Sequence, residues 1–191
     1  MVVGVLSLQG DFDLHVEKLE SLNVETLRVK TSKDLLKTDG VIIPGGESTT
    51  ISLLIDKLNL RKILEEYCSK KYVFGTCAGL IMISNIEDKI VKPLNLISFD
   101  IERNAYGKQI DSFSKYVDLE FDKDFPFNAS FIRAPKIMSL NDEEIEVLAY
   151  DGDNPILIKR GKFLGSSFHP EIGNDNRIHK YFLKMINNEK V

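Results

Sequence analysis

Only two cysteines, Cys68 and Cys77, occur in the 191 residues. They are too few for a disulfide framework and match no metal-binding spacing. A reducing compartment suits them, so a cytoplasmic location is expected. No sign of charge prevails: 25 Lys and Arg face 29 Asp and Glu, for a net −4. No basic block or aromatic–basic interleaving suggests a nucleic-acid surface. No apolar run is long enough to span a membrane, and Met1-Val2-Val3-Gly4-Val5-Leu6 lacks the charged start of a signal peptide. Repeats, low-complexity tracts and linkers are also missing. What is there is 43% hydrophobic and 28% charged residues, an ordinary globular balance. Length favours a single domain over residues 1–191.

Strand-like and helix-like runs alternate in the first half. Val2 to Gln9, Val24 to Val29, Gly40 to Pro44 and Tyr72 to Thr76 are predicted strands, several of them continuously apolar. Asp11 to Leu22 carries Phe12, Val16, Leu19 and Leu22 at helical spacing, and one long helix is predicted from Thr49 to Tyr67. This pattern is that of an α/β chain with a parallel sheet covered on both faces. After about residue 97 short runs separated by turns take over: Tyr116 to Phe121, Phe131-Ile132, Val147 to Tyr150, Ile156 to Lys159 and Phe163 to Phe168. These read as strands of a mixed or antiparallel extension, closed by a helix from Asn174 to Asn187.

The chemistry centres on Tyr72-Val73-Phe74-Gly75-Thr76-Cys77-Ala78-Gly79-Leu80. A strand, then Gly-x-Cys-x-Gly, then a helix is the pattern of a nucleophile elbow with cysteine in place of serine. The sharp turn exposes the side chain in a strained conformation, and the following helix amides favour a thiolate and a nearby oxyanion. Far downstream stands Phe168-His169-Pro170-Glu171. Pro170 disfavours helix, and an extended segment puts His169 and Glu171 on one face. His169 is then placed to take the Cys77 proton, with Glu171 fixing its tautomer and stabilising the imidazolium. Gln9-Gly10 and Pro44-Gly45-Gly46-Glu47-Ser48 follow strands one and three, where α/β sheets gather their sites. The Gly-Gly amides are suited to a developing oxyanion; a plain turn with Ser48 as helix N-cap is the alternative for that segment. Cys68 is expected to be a helix-packing residue, and His15 and His179 to be solvated or capping.

Together these residues resemble the class I (triad) glutamine amidotransferases. Within them, Gly4-Val5-Leu6-Ser7-Leu8-Gln9-Gly10, Pro44 to Thr50, Glu102-Arg103-Asn104-Ala105-Tyr106-Gly107, Phe131-Ile132-Arg133-Ala134-Pro135 and Ser167 to Glu171 resemble the glutaminase-subunit family of pyridoxal 5′-phosphate synthase. The segments around Arg103 and Arg133 argue against the glutaminase of imidazole glycerol phosphate synthase. The resemblance implies a flavodoxin-like three-layer sandwich with a mainly parallel central sheet, and hydrolysis of glutamine to glutamate and ammonia. It makes Cys77 the nucleophile, His169 the base and Glu171 the orienter. Gly46, Glu47, Ser48, Arg103, Ile132 and Arg133 would bind glutamine, whose α-carboxylate and α-ammonium need a cation and acceptors. The Gly46 and Ala78 amides would hold the oxyanion. No metal or organic cofactor is expected. The implied partner is a (β/α)8-barrel synthase subunit in a large hetero-oligomer, docked over Gln9-Gly10, Gly45-Gly46 and Arg103 to Gly107, with Gln9 linking it to the site.

Overall fold

The continuously apolar runs at the start of the chain become the centre of a seven-stranded sheet. The structure is a computed structural model that describes residues 1–103 and 112–187. Strands β1 (Val2–Leu6), β2 (Glu25–Val29), β3 (Gly40–Ile43) and β4 (Tyr72–Thr76) are joined through helices α1 (Phe12–Ser21), α2 (Ser32–Leu35), α3 (Ser48–Lys57) and α4 (Arg61–Cys68). After α5 (Ala78–Ile83) come β5 (Phe99–Glu102), β6 (Phe113–Leu119), β7 (Asp122–Phe131), β8 (Lys136–Leu140), β9 (Glu146–Asp151), β10 (Asn154–Arg160), β11 (Phe163–Ser166) and finally α6 (Arg177–Ile186). The sheet order is β2-β1-β3-β4-β11-β10-β9. The first five are mutually parallel, and β10 and β9 extend the sheet antiparallel. This is the predicted mainly parallel sheet with its antiparallel extension. β5 pairs with β8 and β6 with β7 as separate antiparallel ribbons.

Neighbouring residues of a strand point to opposite faces, so each central strand feeds two cores. Val41, Ile43 and Val73 pack with Ile55, Leu64 and Leu80 on the face covered by α3, α4 and α5. Ile42 and Phe74 pack with Val16, Leu19, Ile178 and Phe182 on the face covered by α1 and α6. The result is the three-layer sandwich. Each fully buried Phe or Ile of this kind contributes about 1.5–3 kcal/mol.

Several elements differ from the sequence-based expectation. The helix predicted from Thr49 to Tyr67 is two helices. Asn59 adopts φ +55°, its N–H bonds the Asp56 carbonyl, and the Leu60 N–H reaches back to Ile55. This pair of bonds is a Schellman stop, and asparagine tolerates its left-handed residue. It turns α4 onto a new axis and leaves Leu58 exposed. α1 ends in the same way at Asn23, φ +58°, with Val24 N–H on the Leu19 carbonyl. β1 stops at Leu6, so Leu8 and Gln9 lie beyond the sheet. The last helix starts at Arg177 rather than Asn174, and α2, β5 and β8 were not predicted at all. α2 is four residues held by a Thr31–Asp34 capping box, too short to show a helical period.

Candidate active site

β4 delivers Cys77 at its carboxyl end, and two close backbone approaches explain the flanking glycines. A Cβ on Gly75 would stand 2.4 Å from the Gly79 carbonyl oxygen, and one on Gly79 only 1.9 Å from that of Ile43. Only glycine lets α5 settle this near β3 and β4. Between them Cys77 takes φ +49°, ψ −102°, a conformation a side chain rarely adopts, as expected of an elbow. Its N–H bonds the Ser166 carbonyl at 2.8 Å, tying the turn to the end of β11. The thiol points at the Ile132 carbonyl, 3.8 Å away.

The chain leaves β11 through Ser167-Phe168 to His169, whose N–H is held by Ser130 O at 2.8 Å. Here the expected extended segment is instead a turn, closed by Ile172 N–H on the His169 carbonyl at 3.2 Å with Pro170 in the position it favours. The turn brings the two side chains together all the same: His169 Nδ1 lies 2.7 Å from Glu171 Oε1. An ionised carboxylate only accepts, so Nδ1 carries a proton in either charge state of the ring, and Nε2 is the nitrogen that exchanges one with Cys77. Nε2 makes no hydrogen bond among the described residues. Burial pushes the imidazole down, but Cys77 and Glu171 together outweigh it and raise it to about 10. Cys77 thus acts on the ring although its thiol points at the Ile132 carbonyl. Glu171 is also buried, which pushes its carboxyl up; His15 and His169 overcome this and hold it down at about 2.

Gln9, Gly46, Glu47, Ser48, Cys77, Ala78, Arg103, Ile132, Arg133 and His169 all line one cavity of about 470 Å³, together with Asp11 and Ile81. Every site residue named from the sequence is therefore at this cavity except Glu171, which stands behind His169. Asn104 to Gly107 lie outside the described residues. Gly46 has φ +146°, and a Cβ there would strike Gln9 Oε1 at 2.4 Å. That same oxygen accepts the Glu47 N–H at 2.8 Å, so Gln9 grips the Gly46–Glu47 peptide. The helix N-cap is Glu47 rather than Ser48: its carboxylate accepts from Thr49 and Thr50 N–H. Arg103 is braced by Asp88 at 2.8 Å, Thr49 at 3.2 Å and Glu47 at 3.7 Å. Asp88 carries no sequence signal, because its pairing spans 15 residues and an irregular loop. Arg133 is exposed with φ +46°.

His15 and His179 overturn the expectation of solvated or capping residues. Both are fully buried. The signal was present: His15 shares the helix face of Phe12, Val16 and Leu19, and His179 that of Ile178 and Phe182. Cys68 is a buried packing residue, and burial lifts its thiol to about 12.

Burial also keeps His15 and His179 below the ordinary imidazole value of 6.5. The unfolded chain therefore takes up protons that the folded one refuses, and stability falls as pH drops below 6.5, by up to about 1.4 kcal/mol per pH unit for each histidine. His169 does not offset this, since its raised value gives a contribution complete below 6.5 and lost only toward about 10. Glu171 loses its contribution only below 4.5, toward about 2. A falling Tm between pH 6.5 and 4.5 is expected, shallower in His179→Leu. A flat profile in the parent chain would contradict the neutral buried pair.

Among proteins of known kind, the sequence matches the SNO glutamine amidotransferase family over residues 5–188. It is 47% identical over 188 residues to the pyridoxal 5′-phosphate synthase subunit PdxT of Pseudothermotoga lettingae, covering 97% of this chain and 95% of that one. It is also 47% identical over 183 residues to the PdxT of Francisella philomiragia, covering 96% and 98%. A solved glutamine amidotransferase superposes with TM-score 0.89 at 39% identity, covering 98% of this chain and all of the other. A glutamine amidotransferase structure from Thermotoga maritima has TM-score 0.59 at 13% identity, covering 98% and 84%, and bears on the fold alone. The matched span, residues 5–188, takes in the elbow, the His169 turn and the cavity between them, and the chain belongs to the SNO glutamine amidotransferase family.

Proposed function

We propose that this chain hydrolyses L-glutamine through a Cys77 thioester and supplies the ammonia to a synthase subunit that makes pyridoxal 5′-phosphate. The observation that carries the reading is the meeting at one cavity of Cys77, on its strained turn, and His169, bonded through Nδ1 to a buried carboxylate. With the Cys77 proton resting on His169 Nε2, the thiolate attacks the carboxamide carbon. The oxyanion forms beside the Gly46 and Ala78 amides, and its collapse expels ammonia with the proton from His169. Water then gives a proton to His169 and attacks the thioester carbonyl. Glutamate leaves, and the proton returns to the Cys77 sulfur. Glu171 exchanges no proton; it stabilises the imidazolium.

Arg103 and Arg133, with Ile132, Glu47 and Ser48, supply the charge and acceptors that an amino-acid head group needs. Arg103 is the better fixed of the two, since Asp88 and Thr49 hold its guanidinium in place. The relatives named as pyridoxal 5′-phosphate synthase subunits support a synthase subunit as partner, which we take to be a (β/α)8 barrel in a large hetero-oligomer. Free ammonia in water is mostly protonated and no longer a nucleophile, so release makes chemical sense only against the docked partner. Gln9 is suited to sense that docking, because its side chain holds the peptide next to the oxyanion site.

Ammonia release from glutamine, measured alone and while titrating in the synthase subunit, tests this. Slow turnover that rises to saturation with the partner is expected, with a blunted rise in Gln9→Ala. Arg103→Ala should weaken glutamine use by about 1.5–3 kcal/mol, the worth of a charge-assisted bond. A rate indifferent to the partner would remove the coupling, and no ammonia under any condition would remove the glutaminase.

A further inference from the structure

Two buried histidines remain once Cys77, His169 and Glu171 have their parts. His15 Nδ1, on α1, lies 3.0 Å from His179 Nε2, on α6. His15 Nε2 lies 3.2 Å from Thr76 Oγ1 and 3.3 Å from Glu171 Oε2. The other carboxylate oxygen, Oε1, is the one that meets His169. Glu171 is thus set between two imidazoles, and Oε2 makes no hydrogen bond of ordinary geometry to any described residue, so the 3.3 Å approach of His15 is an electrostatic contact rather than a formed hydrogen bond. One assignment of protons serves every contact. His179 Nε2–H donates to His15 Nδ1, and His15 Nε2–H points between the Thr76 hydroxyl and the Glu171 carboxylate. His179 Nδ1, which has no partner among the described residues, is then a bare lone pair.

As packing alone this is a poor choice. Both rings lie against Phe74, which also touches Phe182. An apolar pair of similar volume would fold there at least as well, without desolvating four ring nitrogens. What an apolar pair would not supply is a polar N–H facing the Glu171 carboxylate.

We propose that His15 is a positioning residue for the hydrolytic triad: with its tautomer set by His179, it holds the Glu171 carboxylate turned so that Oε1 meets His169 Nδ1. The inference rests on the reading of Cys77, His169 and Glu171 as a glutaminase triad. Thr76 shares the same donor and immediately precedes Cys77, so the contact also ties the end of β4 to the turn that carries the carboxylate. The charges facing the cluster are Glu171 and His169 from that turn, and Lys18 and Asp11 from α1 and its approach. Lys18 is already spent on the Gly173 carbonyl and Asn176 Oδ1. His15 is therefore the group placed to orient Oε2.

The test compares wild type, His15→Leu and His15→Gln, each assembled with the synthase subunit, by ammonia release across roughly pH 6 to 10. In His15→Leu, kcat should fall roughly ten- to a hundredfold with KM within about twofold. The alkaline limb of kcat/KM should move down by about one pH unit, because a carboxylate that has turned away no longer raises His169. Glutamine's own α-ammonium titrates alike in all three, so the difference between variants is the readout. His15→Gln still offers an N–H and should recover most of kcat and return the limb toward its wild-type place. His15→Leu at full rate with an unmoved limb overturns the proposal, as does Gln losing as much as Leu. Should His15→Leu not fold, His15→Ala takes its place, and a His15→Gln as impaired as Glu171→Gln overturns the proposal by itself. An inactive wild-type assembly overturns both this proposal and the glutaminase reading beneath it.

Discussion

Cys77→Ala is expected to abolish glutamine hydrolysis, a fall of roughly ten-thousandfold or more, while the fold melts at almost the parent temperature. The two halves of this expectation have separate causes. The thiol is the nucleophile that the elbow sets beside His169, and a triad without its nucleophile keeps only what binding and oxyanion donors supply. The side chain meanwhile faces a cavity rather than a core, and alanine inherits the same strained φ of +49°, so stability should change by less than about 1 kcal/mol. Ammonia release and a thermal melt check the two halves independently. Appreciable turnover in the alanine variant would sink the assignment of Cys77.

Gly79→Ala should be the most damaging change that touches no reacting atom. In an exposed helix interior, replacing glycine by alanine stabilises by about 0.5–1 kcal/mol. Here the sign reverses, because the added methyl would sit 1.9 Å from the Ile43 carbonyl oxygen. A backbone oxygen at the inner end of β3 has nowhere to retreat. α5 must lift off the sheet instead, at a cost of about 3 kcal/mol. Since Cys77 is the cap of that helix, a shift of an ångström there should lower the rate roughly a hundredfold as well. Urea unfolding at constant m measures the first effect and ammonia release the second. A variant as stable as the parent would show that the close approach of α5 to β3 is not what the glycine serves.

Both residues belong to the short stretch where the sequence was most legible, and the reason is physical. An elbow needs glycines at fixed offsets whatever surrounds it, so its signature is local. The central strands were equally plain, because burial on both faces leaves unbroken apolar runs. What escaped was written either in a single residue or in distant ones. The helix break at Asn59 hangs on one left-handed asparagine inside an otherwise helical pattern, although Leu22-Asn23-Val24 ends α1 with the same device. β5 and β8 form a ribbon between segments far apart in the chain, which no local pattern announces. His15 was misjudged because a titratable residue on an apolar face was weighed by its type rather than by its position. The turn at His169 was misjudged in shape but not in outcome, since turn and extended chain both bring residues i and i+2 within reach here.

Cys77 and His169 leave the sheet from neighbouring strands, β4 and β11, whose register sets Thr76 beside Ser166. Their separation is a property of one rung, flanked by three strands on one side and two on the other. Opening fluctuations of a sheet start at its margins, where amide protons exchange with solvent long before those at the centre. Transient fraying of β2 or β9 therefore leaves the reacting pair in register. The outer strands can breathe, or be gripped by another protein, without detuning the chemistry at the middle.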